Sequence, residues 1–314
     1  MSALDSIVLA VASVTLFLYG LQSFSREIQQ LSDGPLKKAL AFATKNRLVG
    51  ALTGAVTTAV LQSSSAVTAL AVALTNSGLL NLQSVLPVFI GANIGTASTA
   101  FLVSWKAHGL GAYFLLLGSV LSLLPIKGRV LGKSIFYFGF ILFALDQING
   151  ALRPFFEQPL VVAWLSRADE PLIGILAGLV LTALLQSSSV LTGIAVILAD
   201  QGLLTLPGAV AVVLGANIGT TTTALVASLG MNAIAKTAAF ANLFFNVVGV
   251  MVAFFLIAPL ASLSSGLGSG ATGISVAYAH LIFNTGTALV FLTLLTPTYR
   301  LLQGMSKSYF GRTS

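Results

Sequence analysis

Gln62-Ser63-Ser64-Ser65 and Gln186-Ser187-Ser188-Ser189 are one tetrapeptide written twice, 124 positions apart, inside two apolar runs. Polar side chains in such runs are costly unless they have work to do. A second pair follows at the same offset: Gly91-Ala92-Asn93-Ile94-Gly95-Thr96 and Gly215-Ala216-Asn217-Ile218-Gly219-Thr220. Shifted by 124 residues, the chain aligns with itself without gaps from about residue 14 to residue 104. The duplication is of a whole unit, not of a short motif.

The bulk numbers fix the class. Of 314 residues, 56% are hydrophobic and 7% are charged, with a mean hydropathy of +0.98. A soluble domain carries about a quarter charged residues, so an all-α integral membrane protein in a lipid bilayer is expected. The net charge of +7 sits mainly in short loops and the tail. That is a pattern of membrane orientation, not of nucleic-acid binding. Cysteine is absent, which excludes disulfides and thiolate metal sites. The first apolar run, residues 4–24, lacks a basic leader and is too long for a signal core, so it reads as a retained transmembrane helix.

Repeat 1 is assigned residues 1–126 and repeat 2 residues 127–259, followed by an extra C-terminal transmembrane helix in 260–298 and a short basic tail in 299–314. Each repeat starts with a spanning helix (3–24, 130–150) and a short amphipathic segment (26–44, 152–168). Next come 48–76 and 172–200, with the polar block at the centre. Arms of about 12 residues reach only ~18 Å, short of the ~30 Å of hydrocarbon. A re-entrant helical hairpin with Gln-Ser-Ser-Ser at its tip is the reading. Residues 84–105 and 207–229 are long enough to span, but their glycines and Asn read as an unwound break in a broken transmembrane helix. Helices at 109–125 and 234–258 close the repeats, and residues 262–273, rich in Gly and Ser, read as a loop. Three crossings per repeat, an odd number, make the two repeats inverted in topology. With the loop after the first helix inside, twelve of the 15 basic residues fall inside and only Lys106, Arg153 and Arg167 outside. This puts the N-terminus outside and the C-terminus in the cytoplasm, in the inner or plasma membrane.

A helix N-terminus carries unpaired N–H groups and about half a positive charge. Ser63, Ser64 and Ser65 would start one returning arm, and Ser187, Ser188 and Ser189 the other. Meeting from opposite sides, they would make an uncharged cradle for a small tetrahedral oxyanion. Oxygens suited to Na⁺ come from Gln62, Asn93, Thr96 and Thr99, and from Gln186, Asn217, Thr220, Thr221 and Thr223. The stretches 62–65, 93–99, 186–189 and 217–223 hold no Arg, Lys, Asp or Glu. An anion bound there needs co-bound cations to balance its charge. A proton-coupled carrier would call for a buried carboxylate or His. Asp146 and Asp200 fall toward helix or hairpin ends, and His280, near Asn284, reads as a packed, hydrogen-bonded residue. Asn242, Asn246 and Asn284 are either interhelical glue or support for the site. The residues by themselves imply a small oxyanion together with cations.

At these motifs the sequence resembles the type II sodium–phosphate cotransporters and their bacterial relatives. That family carries two Gln-Ser-Ser-Ser copies, each followed by an Asn-Ile-Gly-Thr segment. The second half is nearest, through Gln186–Val190, Gly215–Thr223 and Asn242-Leu243-Phe244-Phe245-Asn246, and the resemblance covers about residues 13–297. It implies a carrier, not an enzyme, that moves inorganic phosphate by alternating access, with Na⁺ as coupling ion and no cofactor. It puts Gln62–Ser65 and Gln186–Ser189 at the core of the site. Phosphate is then expected at Ser63–Ser65, Ser187–Ser189, Asn93 and Asn217, and Na⁺ at Gln62, Gln186, Thr96, Thr99, Thr220, Thr221 and Thr223. Two departures stand out. No acidic residue follows Thr99, where electrogenic animal members have an aspartate. Leu121 and Ser122 stand where Phe245 and Asn246 would repeat. In animal members the second repeat's flank is cytoplasmic, whereas here the charges put the first repeat there. This keeps a phosphate exporter of the same fold beside the importer. A symporter of sulfate or a dicarboxylate is a further alternative, as is a channel-like or structural membrane protein. A dicarboxylate pocket would recruit an Arg, and a channel would show a continuous polar stripe. The sequence leaves room for a homodimer.

Overall fold

A computed structural model describes residues 8–9, 11–17, 19–24, 26–27, 46–104, 109–123, 127–152 and 167–305. The amphipathic segments expected at 26–44 and 152–168, apart from their ends, lie outside the described residues. After a helical N-terminal stretch within 8–27 come α1 (Arg47–Leu61), α2 (Ser64–Asn76), α3 (Leu82–Ser104), α4 (Leu110–Ser122) and α5 (Lys127–Leu152). The second half holds α6 (Pro171–Leu185), α7 (Ser188–Asp200), α8 (Leu206–Ser228) and α9 (Ala233–Phe254). The chain continues with α10 (Ile257–Leu267), α11 (Thr272–Thr293) and α12 (Leu295–Met305), and no strand occurs among the described residues.

Each polar tetrapeptide breaks a helix. Gln62 ends α1 in the left-handed region (φ 51°, ψ 29°), and Ser63 is extended (φ −151°) as the N-cap of α2. Gln186 (φ 54°, ψ 24°) and Ser187 (φ −148°) do the same between α6 and α7. A left-handed residue is the usual way to stop a helix, but a non-glycine one is uncommon.

The glycine signature does something other than expected. Both α3 and α8 run as continuous helices through Gly-Ala-Asn-Ile-Gly-Thr, so neither is a broken helix. Their glycines serve close approach instead. A Cβ on Gly91 would overlap the Ala51 carbonyl oxygen, and one on Gly54 would overlap the Val88 oxygen. In the second half, Gly215 meets the Ile175 oxygen and Gly178 meets the Val212 oxygen in the same way. The α1–α3 and α6–α8 pairs are thus pressed together backbone to backbone, as small residues permit between membrane helices. The opposite faces of the short helices are apolar and exposed: Leu48, Leu52, Val56 and Val60 on α1, with Leu172, Leu176, Val180 and Leu184 at the equivalent positions of α6. Such a stripe suits lipid and would be a liability in water.

α3 and α8 form the centre, with 72% of the apolar window of each buried. The halves interlock there, since α2 packs on α8 and α7 on α3. Four helices among the described residues are long and apolar enough to cross a membrane: α3, α8, α9 and α11. α4 has 13 residues, about 20 Å at 1.5 Å per residue, which is shorter than the crossing expected of it. Two further readings change. Most of the stretch read as a loop from 262 is helical, because Ile257, Ala261 and Ser264 of α10 are buried and Ser264 Oγ donates to the Ala261 carbonyl at 3.0 Å. The start of the basic tail is helix α12, held by fully buried Leu302.

Gly91→Ala is expected to destabilise the protein by about 1–3 kcal/mol, because backbone on both helices would have to part. Gly286→Ala, at a helical position with open space around it, should not. Thermal unfolding in detergent compares them, and equal midpoints would contradict the close-packing account.

Candidate functional site

The helix starts at the two breaks carry free donors. Ser63 Oγ accepts the Ala66 N–H at 3.2 Å and so caps α2, while Ser187 makes no such cap on α7. Among the described residues, the hydroxyls of Ser64, Ser65, Ser187 and Ser188 have no hydrogen-bond partner, although Ser64 and Ser188 are buried. The first-turn N–H groups of a helix have no intrahelical acceptor. Unpaired hydroxyls and N–H groups at the same helix ends form donor sets suited to an anion.

The two glutamines splint the breaks to the central helices. Gln62 Nε2 donates to the Ala59 carbonyl (2.6 Å) and to Ser98 Oγ (2.9 Å), and its Oε1 accepts from Thr99 Oγ1 (2.9 Å). Gln186 repeats the pattern with the Ala183 carbonyl (2.6 Å), Thr222 (3.5 Å) and Thr223 (2.7 Å). Every partner is displaced by the repeat offset. Thr96 and Thr220 donate back to Ala92 and Ala216, and Thr221 to Ile218, so their oxygens keep lone pairs for a cation.

The signature asparagines reach the last long helices. Asn93 Nδ2 donates to Asn246 Oδ1 at 3.2 Å, and Asn217 Nδ2 donates to Asn284 Oδ1 at 3.0 Å. Asn242 enters through Asn246 Nδ2, which donates to its carbonyl at 2.9 Å. His280, packed and hydrogen-bonded as read, lies 3.0 Å from Asn217 Oδ1 through Nε2. Asp146 accepts the Gly109 N–H and Asp200 the Gly273 N–H, which places both at helix ends away from these residues.

The two tetrapeptides meet across the halves. Ser189 Oγ donates to the Gln62 carbonyl at 3.5 Å and lies 3.4 Å from Thr99 Oγ1. No equivalent bond joins Ser65 to Gln186 among the described residues, and Gln186 is exposed where Gln62 is half-buried. A cavity of about 380 Å³ opens beside Gln62 and Ser98, walled by Phe24, Phe101 and Phe138. Sequence reasoning missed Ser98 and Thr222, although a hydroxyl at both positions of the repeat was the signal. It also missed Thr58 and Thr182, repeat mates whose buried hydroxyls have no partner among the described residues.

The sequence profile described as Na⁺/Pi-cotransporter matches residues 16–150 and again 151–279. The chain belongs to the Na⁺/Pi-cotransporter family. It is therefore a membrane protein of a phosphate-transport family, and the double match fits its internal duplication. As a member of the Na⁺/Pi-cotransporter family it is similar to the uncharacterized protein YqeW of Bacillus subtilis (strain 168), with 31% identity over 244 residues, 76% of this chain and 78% of that protein. It is 26% identical over 256 residues to YjbB of Salmonella typhimurium, a protein provisionally named for inorganic phosphate export. That match takes in 81% of this chain but 47% of YjbB, so the chain spans about half the length of that relative. The human sodium-dependent phosphate transport protein 2C is 37% identical over 126 residues, 36% of this chain and 21% of that protein. No solved structure matches the chain.

The left-handed conformation at Gln62 gives a direct check on the break. Gln62→Val loses the splint and puts a β-branched residue in that region, whereas Gln62→Gly loses only the splint. The valine variant is expected to be less stable than the glycine variant by about 1–2 kcal/mol, read by thermal unfolding in detergent.

Proposed function

We propose that the protein carries inorganic phosphate across the inner or plasma membrane together with Na⁺, by exposing one central site alternately to the two sides. The observation that carries this reading is the pair of serine-rich helix starts, joined through Ser189, Gln62 and Thr99, with no charged side chain in 62–65, 93–99, 186–189 or 217–223. Ser63–Ser65 and Ser187–Ser189 hold phosphate oxygens through hydroxyl and N–H donors. Asn93 and Asn217 complete that shell. Gln62, Gln186, Thr96, Thr99, Thr220, Thr221 and Thr223 supply neutral oxygens for Na⁺, which suits a hard cation. Among the described residues no group of three His, Cys, Asp or Glu stands together that could hold a metal ion.

Neutral donors alone meet the desolvation of a phosphate dianion poorly, since removing an ion from water costs several kcal/mol even after relaxation. Bound Na⁺ supplies the missing charge, and transport becomes coupled. The helix–break–helix units α1–α2 and α6–α7 act as re-entrant hairpins in two inverted repeats, with the N-terminus outside and the C-terminus cytoplasmic. A second reading, phosphate export, is favoured by the likeness to YjbB and by the basic flank of the first repeat. Inverted repeats fold equally well in either orientation, so the chemistry of the site is common to both directions.

Reconstituted in liposomes, the protein should move radiolabelled phosphate, and a Na⁺ gradient should set the flux. Phosphate flux indifferent to Na⁺, or none at all, ends this reading. Ser64→Ala and Ser188→Ala each remove one hydrogen bond to a charged ligand, about 1.5–3 kcal/mol, so flux at sub-saturating phosphate should fall about 10- to 100-fold. Wild-type flux in both folded variants would reduce the serines to packing.

A further inference from the structure

A second, shorter repeat relates α9 to α11. Ala239-Phe240-Ala241-Asn242-Leu243-Phe244-Phe245-Asn246 and Ala277-Tyr278-Ala279-His280-Leu281-Ile282-Phe283-Asn284 align without gaps at an offset of 38, with five of eight residues identical. The hydrogen bonds give the repeat a role, because Asn246 holds Asn93 of the first half and Asn284 holds Asn217 of the second. α11 therefore does for α8 what α9 does for α3. Within this stretch, the chemistry next to the signature asparagine differs at one position, Asn242 against His280.

Backbone carbonyls fix which way each amide points, since a carbonyl can only accept. Asn284 presents Nδ2 to the His280 carbonyl at 3.1 Å. Its Oδ1 is then the acceptor for Asn217 Nδ2, which turns Asn217 Oδ1 toward His280 Nε2 at 3.0 Å, and His280 must donate there. In the first half, Asn246 presents Nδ2 to the Asn242 carbonyl at 2.9 Å and Oδ1 to Asn93 Nδ2 at 3.2 Å. Asn93 Oδ1 is left without a hydrogen bond among the described residues, and Asn93 is half-buried where Asn217 is buried. Each amide keeps one N–H for an anion. Only Asn93 keeps an uncommitted carbonyl oxygen for a cation, because the N–H of His280 sits against the other and would repel Na⁺ at close range.

We infer that His280 is a positioning residue that occupies Asn217 Oδ1 and so denies the second half the additional Na⁺ position that Asn93 Oδ1 offers in the first, beside the Gln and Thr oxygens common to both halves. The two repeats thus bind phosphate as a pair but bind Na⁺ unequally, with Asn93 open and Asn217 shut. The inference rests on the proposal that Na⁺ is the coupling ion. It also gives a reason for keeping a buried ring whose Nδ1 has no partner among the described residues: the ring's Nε2–H is the useful group.

The test is equilibrium binding of radioactive Na⁺ to the purified full chain in detergent with phosphate present, with thermal unfolding as the check on folding. His280→Asn installs the first-half residue and should add one Na⁺ per protomer at saturation. Asn242→His, the reciprocal change, should place a donor against Asn93 Oδ1 and remove one. A role confined to packing predicts a lower unfolding midpoint with unchanged stoichiometry in both, and that result overturns the inference. Should His280→Asn not fold, Asn242→His decides alone, by loss or retention of a Na⁺. Failure of the transport reading is separately visible as liposome flux that ignores Na⁺ while the binding stoichiometries still move as stated.

Discussion

A helix stopped inside an apolar molecule leaves backbone groups at its end that only the protein can satisfy. Everything at this protein's centre follows from how that is managed twice. Gln62 and Gln186 take a left-handed conformation, and each returns its side chain to bind its own helix and the neighbouring continuous one. The side chain reaches because the neighbour is so near. Glycine at positions 54, 91, 178 and 215 removes the Cβ atoms that would hold α1 from α3 and α6 from α8. The glycine contact and the glutamine splint are therefore one device, and the serine-lined helix starts are its product.

The donor sets that result are neutral, which constrains the chemistry. An anion held by N–H and hydroxyl dipoles in low dielectric is oriented well but balanced badly. In the proposed function, Na⁺ held by hydroxyl and amide oxygens in the same volume supplies what the side chains lack. The halves are built alike yet seated differently: Ser189 reaches the first break, while the second leaves Gln186 exposed. The alternating exposure proposed for the site would use such a pair, with the two halves exchanging roles.

Much of this was legible from the chain. The polar tetrapeptides marked the breaks because Gln-Ser-Ser-Ser inside an apolar run is costly without a reason, and a helix does stop at each of them. The glycines misled, since glycine in a helix reads as a breaker from sequence, whereas here a second helix's carbonyl fills the space a Cβ would take. Ser264 misled in the same way, because its hydroxyl bonds back to its own helix rather than opening a loop. The contacts that join the halves, Asn93 with Asn246 and Ser189 with Gln62, are 153 and 127 positions apart and leave no periodic trace. Leu121 and Ser122, which seemed to mark a missing element, are accounted for once Asn246 is seen to serve the first half and Asn284 the second.

The central claim is that a site without fixed charge binds its anion only with cations. Calorimetric titration of the purified protein with phosphate, in Na⁺ buffer and in a buffer whose only cation is too large to enter, tests it most directly. Binding in Na⁺ that is lost or weakened at least about tenfold in the other buffer, a difference of ~1.4 kcal/mol, is the predicted result. Equal affinity in both would contradict the account.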